Sequence, residues 1–335
     1  MGFFSELLAF PQLINTYKKN FRVQKEFMAH TIELDIAEAL KTNDGSIGEK
    51  DIQKIRTYYG NAVPAILGEG YAILRGKALT SDERTVQTYL GGLTGLFDDL
   101  FDEKEIEQTC LLEMINDPKE SQAKTSFELL FLRFYIKALA LGNRKRIIEL
   151  LVKGFYAQVA SLEQVQQDVS QERIAEITRE KGGIFLQFYR AGFHEPPGSV
   201  ENEMLYNIGA AGQLENDIFD LYKDHQDGIK TLSTTAPSID ELEKTYDSWI
   251  SQYQVKLTQL NFEEKAITRF ERFTRILYLR GKVCLSQYLQ LETQMGGQLD
   301  VSKCTRKDLI CDMGKLSNQL KLMGLYLMPQ FRFKE

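Results

Sequence analysis

The chain contains few of the residues that end helices, cross-link chains or bind transition metals. Of its 335 residues, only 7 are proline, 3 are histidine and 4 are cysteine. The cysteines form no CxxC pair and have no metal-ligand spacing, which argues against a disulfide framework and against a structural zinc site. We therefore expect buried thiols in a reducing compartment, and hence a cytoplasmic protein. The four cysteines are Cys110, Cys284, Cys304 and Cys311.

Long hydrophobic runs and an excess of positive charge are also absent. No segment reaches the roughly 18 consecutive apolar residues of a transmembrane helix, so we expect no membrane span. The segment from Met1 to Phe10 lacks a charged region and a small-residue cleavage site, which argues against a secretory signal. The formal net charge is -6. Because binding to a phosphate backbone depends on clustered positive charge, we expect no nucleic-acid partner.

Helical periodicity is the main structural signal in the sequence. Hydrophobic residues make up 43% of the chain, which is enough for a sizeable core at this length. Between the prolines they recur at helical spacing rather than in strict alternation. We therefore predict an all-α fold with one domain over residues 1–335, built as a bundle of about ten helices around a central cavity.

Capping patterns predict where several of these helices begin and end. Ser81, Ser238 and Thr305 each precede an acidic residue and an apolar periodic segment, as N-terminal capping residues do. After the Pro196-Pro197-Gly198 breaker, the segment from Glu201 to about Asp227 reads as one long helix that ends at Gly228.

The most informative segment is the acidic run Asp98-Asp99-Leu100-Phe101-Asp102. On a helix, residues three and four apart share a face, so Asp98 and Asp99 each lie beside Asp102. Like charges at this spacing repel each other and destabilise an isolated helix. A run of carboxylates on an otherwise apolar helix therefore indicates a bound cation.

A second oxygen-rich stripe follows later in the chain. Asn216, Asp220 and Asp224 stand at positions i, i+4 and i+8 of the predicted long helix. Hard oxygen ligands point to Mg²⁺, which usually takes one or two protein carboxylates and completes its shell with water and substrate phosphate. The two stripes together predict a phosphorylated ligand, most simply a diphosphate.

The two motifs together resemble those of the class I isoprenoid synthases, a group of trans-polyprenyl diphosphate synthases, terpene cyclases and squalene/phytoene synthases. Asp98 to Asp102 is similar to the DDxxD motif of that family. Asn216, Asp220 and Asp224 are similar to the cyclase NDxxSxxxE triad with two substitutions. Alternatively, Gln213 to Asp220 is similar to the elongase QxxDDxxD motif with Asn216 replacing the first Asp.

The resemblance implies a helical bundle of the class I terpenoid synthase type with a central active-site cavity. It also implies three Mg²⁺ ions bound together with the diphosphate of a prenyl substrate. The metal ligands that it implies are Asp98, Asp99, Asp102, Asn216, Asp220 and Asp224. A homodimer is compatible with the resemblance, because dimers are common in these families.

The segment Lys181-Gly182-Gly183 is similar to the elongase KTxxL segment, where a lysine meets the diphosphate and the helix breaks. Two adjacent glycines cost about 1 kcal/mol each in a helix interior, so a break at this point is expected. Lys181, Arg179 and Arg190 are the candidate cations for the leaving group. The alternative interpretation is that these three residues are ordinary surface residues. With Asp98 and Asp102, they form the predicted catalytic set.

Two departures from the elongase pattern bear on the reaction. Elongases hold isopentenyl diphosphate with a basic Gly-Lys-Arg segment, whereas Gly60-Asn61-Ala62 carries no charge. They also place an arginine pair after DDxxD, whereas residues 103–107 read Glu-Lys-Glu-Ile-Glu. A condensing enzyme must neutralise two sets of phosphate charges. The sequence therefore favours ionisation of one allylic prenyl diphosphate, followed by cyclisation or elimination to a terpene.

Three alternatives remain open from the sequence. A trans-polyprenyl diphosphate synthase would use the same metals and a second basic pocket. A head-to-head synthase of the squalene/phytoene type would consume two identical allylic diphosphates. A non-catalytic prenyl-diphosphate-binding protein would keep the fold without releasing diphosphate.

Overall fold

The fold is described from a computed structural model that covers the backbone of residues 3–102 and 106–328. The side chains of residues 3–5 and of Asp102 lie outside this description. The described residues form helices, turns and loops, and none of them lies in a β-strand. The prediction of an all-α fold is therefore confirmed.

The helices follow one another along the chain with short connections. They are α1 (Phe3–Met28), α2 (Ile32–Lys41), α3 (Glu49–Lys54), α4 (Gly60–Ala62), α5 (Glu69–Arg75), α6 (Ser81–Asp102), α7 (Gln108–Asn116), α8 (Ser126–Leu141), α9 (Arg144–Ser161), α10 (Gln171–Arg190), α11 (Ser199–Phe219), α12 (Leu221–Gln226), α13 (Leu232–Thr235), α14 (Ile239–Thr258), α15 (Glu264–Gln294), α16 (Arg306–Leu309) and α17 (Leu316–Leu327). None of the described helices is long and apolar enough to cross a membrane.

The chain divides into two compact units. Unit 1 consists of Met1–Gln12, Tyr156–Leu186 and Gly198–Glu335, and unit 2 consists of Leu13–Phe155 and Gln187–Pro197. The one-domain organisation over residues 1–335 stays a prediction. The first acidic motif belongs to unit 2, and the second belongs to unit 1.

Unit 2 is built around helix α6, which packs against α8 and against the segment that runs from α3 to α5. Leu90, Leu93 and Phe97 on α6 are fully buried, as are Phe131 and Phe134 on α8. These positions follow helical spacing, so the apolar stripe seen in the sequence is the buried face of α6. Asp98 and Asp99 come directly after it.

The segment between α3 and α5 contains two π-helical turns, Ile55–Tyr59 and Val63–Gly68. A π turn inserts an extra residue into a helix and so leaves backbone groups without their usual α-helical partners. Side-chain amides of α1 bind two of the carbonyl oxygens in this segment. Gln24 Nε2 donates to Gly60 O at 3.0 Å, and Asn20 Nδ2 donates to Ala65 O at 3.2 Å. These bonds fix the irregular segment in unit 2.

In unit 1, helix α11 packs against α14 and α15 and makes a very close contact with α10. A Cβ atom added at Gly182 would lie 2.1 Å from Gly209 O, and one added at Gly183 would lie 2.3 Å from the Tyr206 ring. The predicted helix break at these glycines is wrong, because α10 runs without interruption from Gln171 to Arg190. The glycines serve the close approach of two helices rather than a break.

The predicted helix from Glu201 to Asp227 is interrupted in the structure. Helix α11 ends at Phe219, Asp220 leaves the helical conformation with φ -91° and ψ 8°, and α12 begins at Leu221. Gly228 then adopts a positive φ of 70°, as expected for a residue just past a helix end. The interruption falls at the middle residue of the second acidic motif.

The predicted helix starts are confirmed. Helix α6 begins at Ser81, although its capping residue is Thr80, whose Oγ1 accepts a hydrogen bond from Glu83 N at 3.1 Å. Ser238 Oγ accepts a hydrogen bond from Glu241 N at the start of α14. The Thr305 backbone N–H donates to Asp308 Oδ2, although α16 is only 4 residues long.

The contact between Gly182 and Gly209 predicts a sharp difference between two glycine substitutions. Gly182→Ala should lower the free energy of unfolding by about 1 to 3 kcal/mol, because its methyl group would overlap a backbone carbonyl. Gly212→Ala is the matched control on α11, since nothing lies within 4 Å of its added Cβ. It should raise stability by up to about 1 kcal/mol through helix propensity. Urea unfolding of both variants measures this, and equal effects would contradict the close contact.

Candidate functional site

The first acidic motif lies at the C-terminal end of α6 in unit 2. Asp98 is partly exposed, and its Oδ2 accepts a hydrogen bond from the Tyr59 hydroxyl at 2.9 Å. Asp99 is only 4% exposed and forms an ion pair with Lys54 Nζ. The side chain of Asp102 lies outside the described residues. Among the described residues, the Tyr59 hydroxyl is therefore a partner of Asp98, and the Lys54 ammonium group is a partner of Asp99.

Two tyrosine hydroxyl groups, those of the partly exposed Tyr59 and the buried Tyr189, form hydrogen bonds with side chains of α6. Burial, and then the negative charge of Asp98, raise the pKa of Tyr59 well above its usual value. Its hydroxyl therefore stays protonated and donates to Asp98. One helical turn before Asp98, Thr94 Oγ1 accepts a hydrogen bond from the Tyr189 hydroxyl at 3.0 Å. Neither tyrosine was among the residues predicted from the sequence, where buried aromatic residues indicate only a core.

The second acidic motif lies in unit 1 around the interruption between α11 and α12. Asn216 is exposed, Asp220 is partly exposed and Asp224 is buried. Asp217, which the sequence analysis did not include in the ligand set, is also buried. It accepts hydrogen bonds from Thr178 Oγ1 at 3.3 Å and from Gln213 Nε2 at 3.0 Å. The second motif therefore contains two buried carboxylates rather than one.

Burial and mutual repulsion perturb these carboxylates. Burial raises the pKa of Asp217 to about 6. Burial, followed by the negative charges of Asp217 and Asp220, raises the pKa of Asp224 to about 7. Burial also raises the pKa of Asp220. Among the described residues, no lysine or arginine forms an ion pair with any of the three carboxylates. A buried carboxylate without a cation is costly unless it is protonated or binds a metal ion.

The three predicted cations occupy different environments. Lys181 is partly buried, and its charge lowers the pKa of Asp217, which opposes the effect of burial. Arg179 stacks on the Trp249 ring, with its guanidinium carbon 4.1 Å from the ring centroid. Burial lowers the Arg179 pKa. Both residues belong to unit 1, and Lys181 is the one whose charge acts on the second acidic motif.

Arg190 belongs to unit 2 and is 2% exposed. Its Nη1 donates to Glu195 O at 2.6 Å, and its guanidinium carbon lies 5.3 Å from the Phe193 ring centroid and 5.9 Å from that of Tyr71. These contacts place it in a buried aromatic stack of unit 2. Its role as a diphosphate sensor stays a prediction.

Glu215 is a buried carboxyl group of α11 that the sequence analysis missed. Burial raises its pKa to about 7, against the opposing charge of Arg280. Arg280 Nε lies 3.7 Å from Glu215 Oε1, and that oxygen has no hydrogen-bond partner. The sequence signal was available, because Ala211 and Ile218 at i-4 and i+3 place Glu215 on an apolar face.

The oxygen donors of these motifs fit Mg²⁺. Among the described residues, no three His, Cys, Asp or Glu side chains converge closely enough to hold a metal ion by themselves. Mg²⁺ usually takes only one or two carboxylates from the protein and the rest of its shell from water and phosphate. Asp98 in unit 2, and the buried Asp217 and Asp224 with Asp220 in unit 1, are the donors available for that role.

No protein-family model, curated protein or solved structure matches this chain. The resemblance to class I isoprenoid synthases therefore depends on the motif residues alone. Their environment in each unit is the basis for inferring a function.

The buried Glu215 predicts a pH dependence of stability. Its pKa is raised from 4.5 to about 7 in the folded protein, so the folded state holds a proton that the unfolded state has released between these pH values. Stability therefore falls as pH rises from about 4.5 to about 7. Glu215→Gln should remove the contribution of Glu215, about 2 to 3 kcal/mol by pH 7, and leave the smaller slope that the raised pKa values of Asp217 and Asp224 produce.

The measurement is urea unfolding across that pH range in the presence of EDTA. Glu203→Gln is the matched control, because Glu203 is an exposed residue of the same helix. The control should keep the wild-type pH slope. A wild-type slope in Glu215→Gln would show that Glu215 ionises normally in the folded protein.

Proposed function

We propose that this protein is a Mg²⁺-dependent class I isoprenoid synthase. In this proposal it ionises one allylic prenyl diphosphate, releases diphosphate and converts the carbon cation to a terpene by cyclisation or elimination. The fold would be that of the class I terpenoid synthases, with a central active-site cavity.

The observation that carries the proposal is the set of buried carboxylates in unit 1. Asp217 and Asp224 are 6% and 8% exposed, and among the described residues no basic side chain forms an ion pair with either. Carboxylates buried without an ion-pair partner destabilise the folded protein unless they are protonated or bind a positive ion. A Mg²⁺ ion carrying a substrate diphosphate would supply that charge.

The first motif supports the same function. Asp98 and Asp99 directly follow the buried apolar stripe of α6, and Lys54 forms an ion pair with Asp99. In the proposal, Asp98 and Asp102 supply oxygen ligands from α6, and Asn216, Asp220 and Asp224 supply them from α11 and α12. Asp99 would contribute less, because its charge is already balanced by Lys54.

In the proposal, a bound metal ion, basic side chains and an apolar site would each act on the substrate. When bound, Mg²⁺ would act as a Lewis acid on the diphosphate leaving group. Lys181, whose charge already acts on Asp217, would add positive charge as the carbon–oxygen bond breaks. Arg179 is the second candidate cation in unit 1. A water-excluding apolar site would let the organic cation cyclise or lose a proton before water adds to it.

The proposed activity predicts diphosphate release from allylic prenyl diphosphates in the presence of Mg²⁺. The assay uses C10, C15, C20 and C25 substrates, each with and without isopentenyl diphosphate, followed by mass analysis of the organic products. A terpene hydrocarbon or alcohol from a single substrate is the expected result. EDTA should abolish the release, and added Mg²⁺ should restore it.

Substitution of the motif carboxylates tests whether they carry this activity. Asp98→Asn and Asp220→Asn should each lower kcat/KM at least about 100-fold, because loss of even an outer partner of a metal ligand costs 10- to 100-fold. Asp82→Asn, at the exposed start of α6, and Asp227→Asn, just after α12, are the matched controls and should keep wild-type activity.

The other outcomes of the assay identify the alternatives. Longer prenyl diphosphates formed only with isopentenyl diphosphate would make the protein a trans-polyprenyl diphosphate synthase. A product made from two identical allylic units would make it a head-to-head synthase. Tight binding of Mg²⁺ and prenyl diphosphate without any release would leave a non-catalytic binding protein.

A further inference from the structure

We propose that Tyr59 is a positioning residue that holds the Asp98 carboxylate in one orientation for binding a divalent cation. The inference rests on the proposed function, since it assigns a partner to the first carboxylate of the acidic motif. It concerns unit 2 alone.

The first step of the argument is the backbone around Tyr59. Tyr59 is the last residue of the π-helical turn Ile55–Tyr59. A π turn changes the face on which the following side chains leave a helix, and such turns are frequent at functional sites. Gln24 Nε2 binds Gly60 O at 3.0 Å and Thr88 Oγ1 at 2.8 Å, so the segment is fixed next to α6.

The second step is the surface of α6 that receives Tyr59. A Cβ atom added at Gly91 would lie 2.4 Å from Tyr59 O, and one added at Gly95 would lie 2.7 Å from Tyr59 Cδ2. Both distances are too short for real side chains. Gly91 and Gly95, one turn apart on α6, therefore form a notch that only glycine can provide and that the Tyr59 backbone and ring occupy.

The third step is the position of the hydroxyl group. One turn after Gly95 on the same helix, Asp98 Oδ2 accepts the Tyr59 hydroxyl hydrogen bond at 2.9 Å. Gly91 thus lies against the Tyr59 carbonyl, Gly95 lies against its ring, and Asp98 accepts the hydrogen bond of its hydroxyl. Because the ring is held along its length, its hydroxyl has little freedom to move. This restricts the orientation of the carboxylate that accepts its hydrogen bond.

The fourth step is the contrast between the two adjacent carboxylates. Asp99 is buried and paired with Lys54, so its negative charge is balanced within the protein. Asp98 is partly exposed and receives its hydrogen bond from a neutral hydroxyl, which orients a carboxylate without cancelling its charge. Outer partners of metal ligands commonly have this role. The Tyr59 hydroxyl therefore orients the Asp98 carboxylate as an outer partner orients a metal ligand.

The test is the affinity for Mn²⁺ in the presence of inorganic pyrophosphate, measured by electron paramagnetic resonance. Mn²⁺ is the probe because carboxylate sites for Mg²⁺ also accept it. Tyr59→Phe removes the hydroxyl and keeps the ring in the notch. We expect its Mn²⁺ affinity to fall about 10- to 100-fold. Tyr58→Phe is the matched control at the neighbouring residue, which is 58% exposed, and it should keep the wild-type affinity.

A double-mutant cycle distinguishes positioning from a general structural effect. If Tyr59 acts through Asp98, then Tyr59→Phe should have little further effect on Mn²⁺ affinity in the Asp98→Asn background. Additive losses in the double variant would overturn the inference. Raising the Mg²⁺ concentration should also restore most of the diphosphate release by Tyr59→Phe, because the defect lies in metal binding.

A second variant keeps the test valid if Tyr59→Phe folds poorly. Gly95→Ala keeps the tyrosine but fills the notch, so it should displace the ring and weaken Mn²⁺ binding in the same way. Thermal unfolding checks that each variant is folded. A folded Gly95→Ala and a folded Tyr59→Phe that both bind Mn²⁺ like the wild type would overturn the inference.

The failure of the inference and the failure of the proposed function give different results. If Asp98→Asn loses Mn²⁺ affinity and prenyl diphosphate turnover but Tyr59→Phe loses neither, then only the role of Tyr59 is wrong. If the wild type releases no diphosphate and Asp98→Asn leaves Mn²⁺ affinity unchanged, then the proposed function is wrong, and the role of Tyr59 is wrong with it.

Discussion

Close contacts made through glycine are the constraint on which both acidic motifs depend. In unit 1, Gly182 and Gly209 bring the backbones of α10 and α11 together, and this approach lets Thr178 Oγ1 reach the Asp217 carboxylate. In unit 2, Gly91 and Gly95 receive Tyr59. A methyl group at any of these glycines would overlap a neighbouring backbone or ring, so the position of each carboxylate depends on the absence of a side chain nearby.

The second general feature is the environment of the acidic side chains, which differs between the two units. Unit 2 balances one of its adjacent carboxylates with Lys54 and binds the other through a neutral hydroxyl. Unit 1 buries Asp217 and Asp224 and raises the pKa of each, and this effect is only partly offset by Lys181 at Asp217 and by Lys223 at Asp224. Such an arrangement costs folding free energy, because buried charges prefer partners. In the proposed function, binding of a divalent cation with a diphosphate would recover part of that cost and would so link stability to ligand binding.

Much of the fold could be predicted from local sequence signals. The all-α class, the start of α6 at Ser81 and the cap of α14 at Ser238 follow from periodicity and capping, which act over a few residues. The pair Gly182-Gly183 was interpreted wrongly as a helix break. Glycine weakens a helix, but the packing of α10 against α11 outweighs that local preference. Local propensity could not reveal this, because the partner Gly209 lies elsewhere in the chain.

By itself, the sequence determined that the chain is helical and that the first acidic stripe lies on an apolar helix, because both properties depend on residue spacing. The interruption of the second stripe at Asp220 was not visible in that spacing. Only the tertiary structure decided which carboxylates are buried, which have a cation and which have a neutral donor. The pairing of Asp98 with Tyr59 joins residues 39 positions apart through a π-helical turn, and that of Asp217 with Thr178 joins residues of two different helices. Burial and hydrogen bonding depend on neighbours that folding brings together, so no local pattern encodes them.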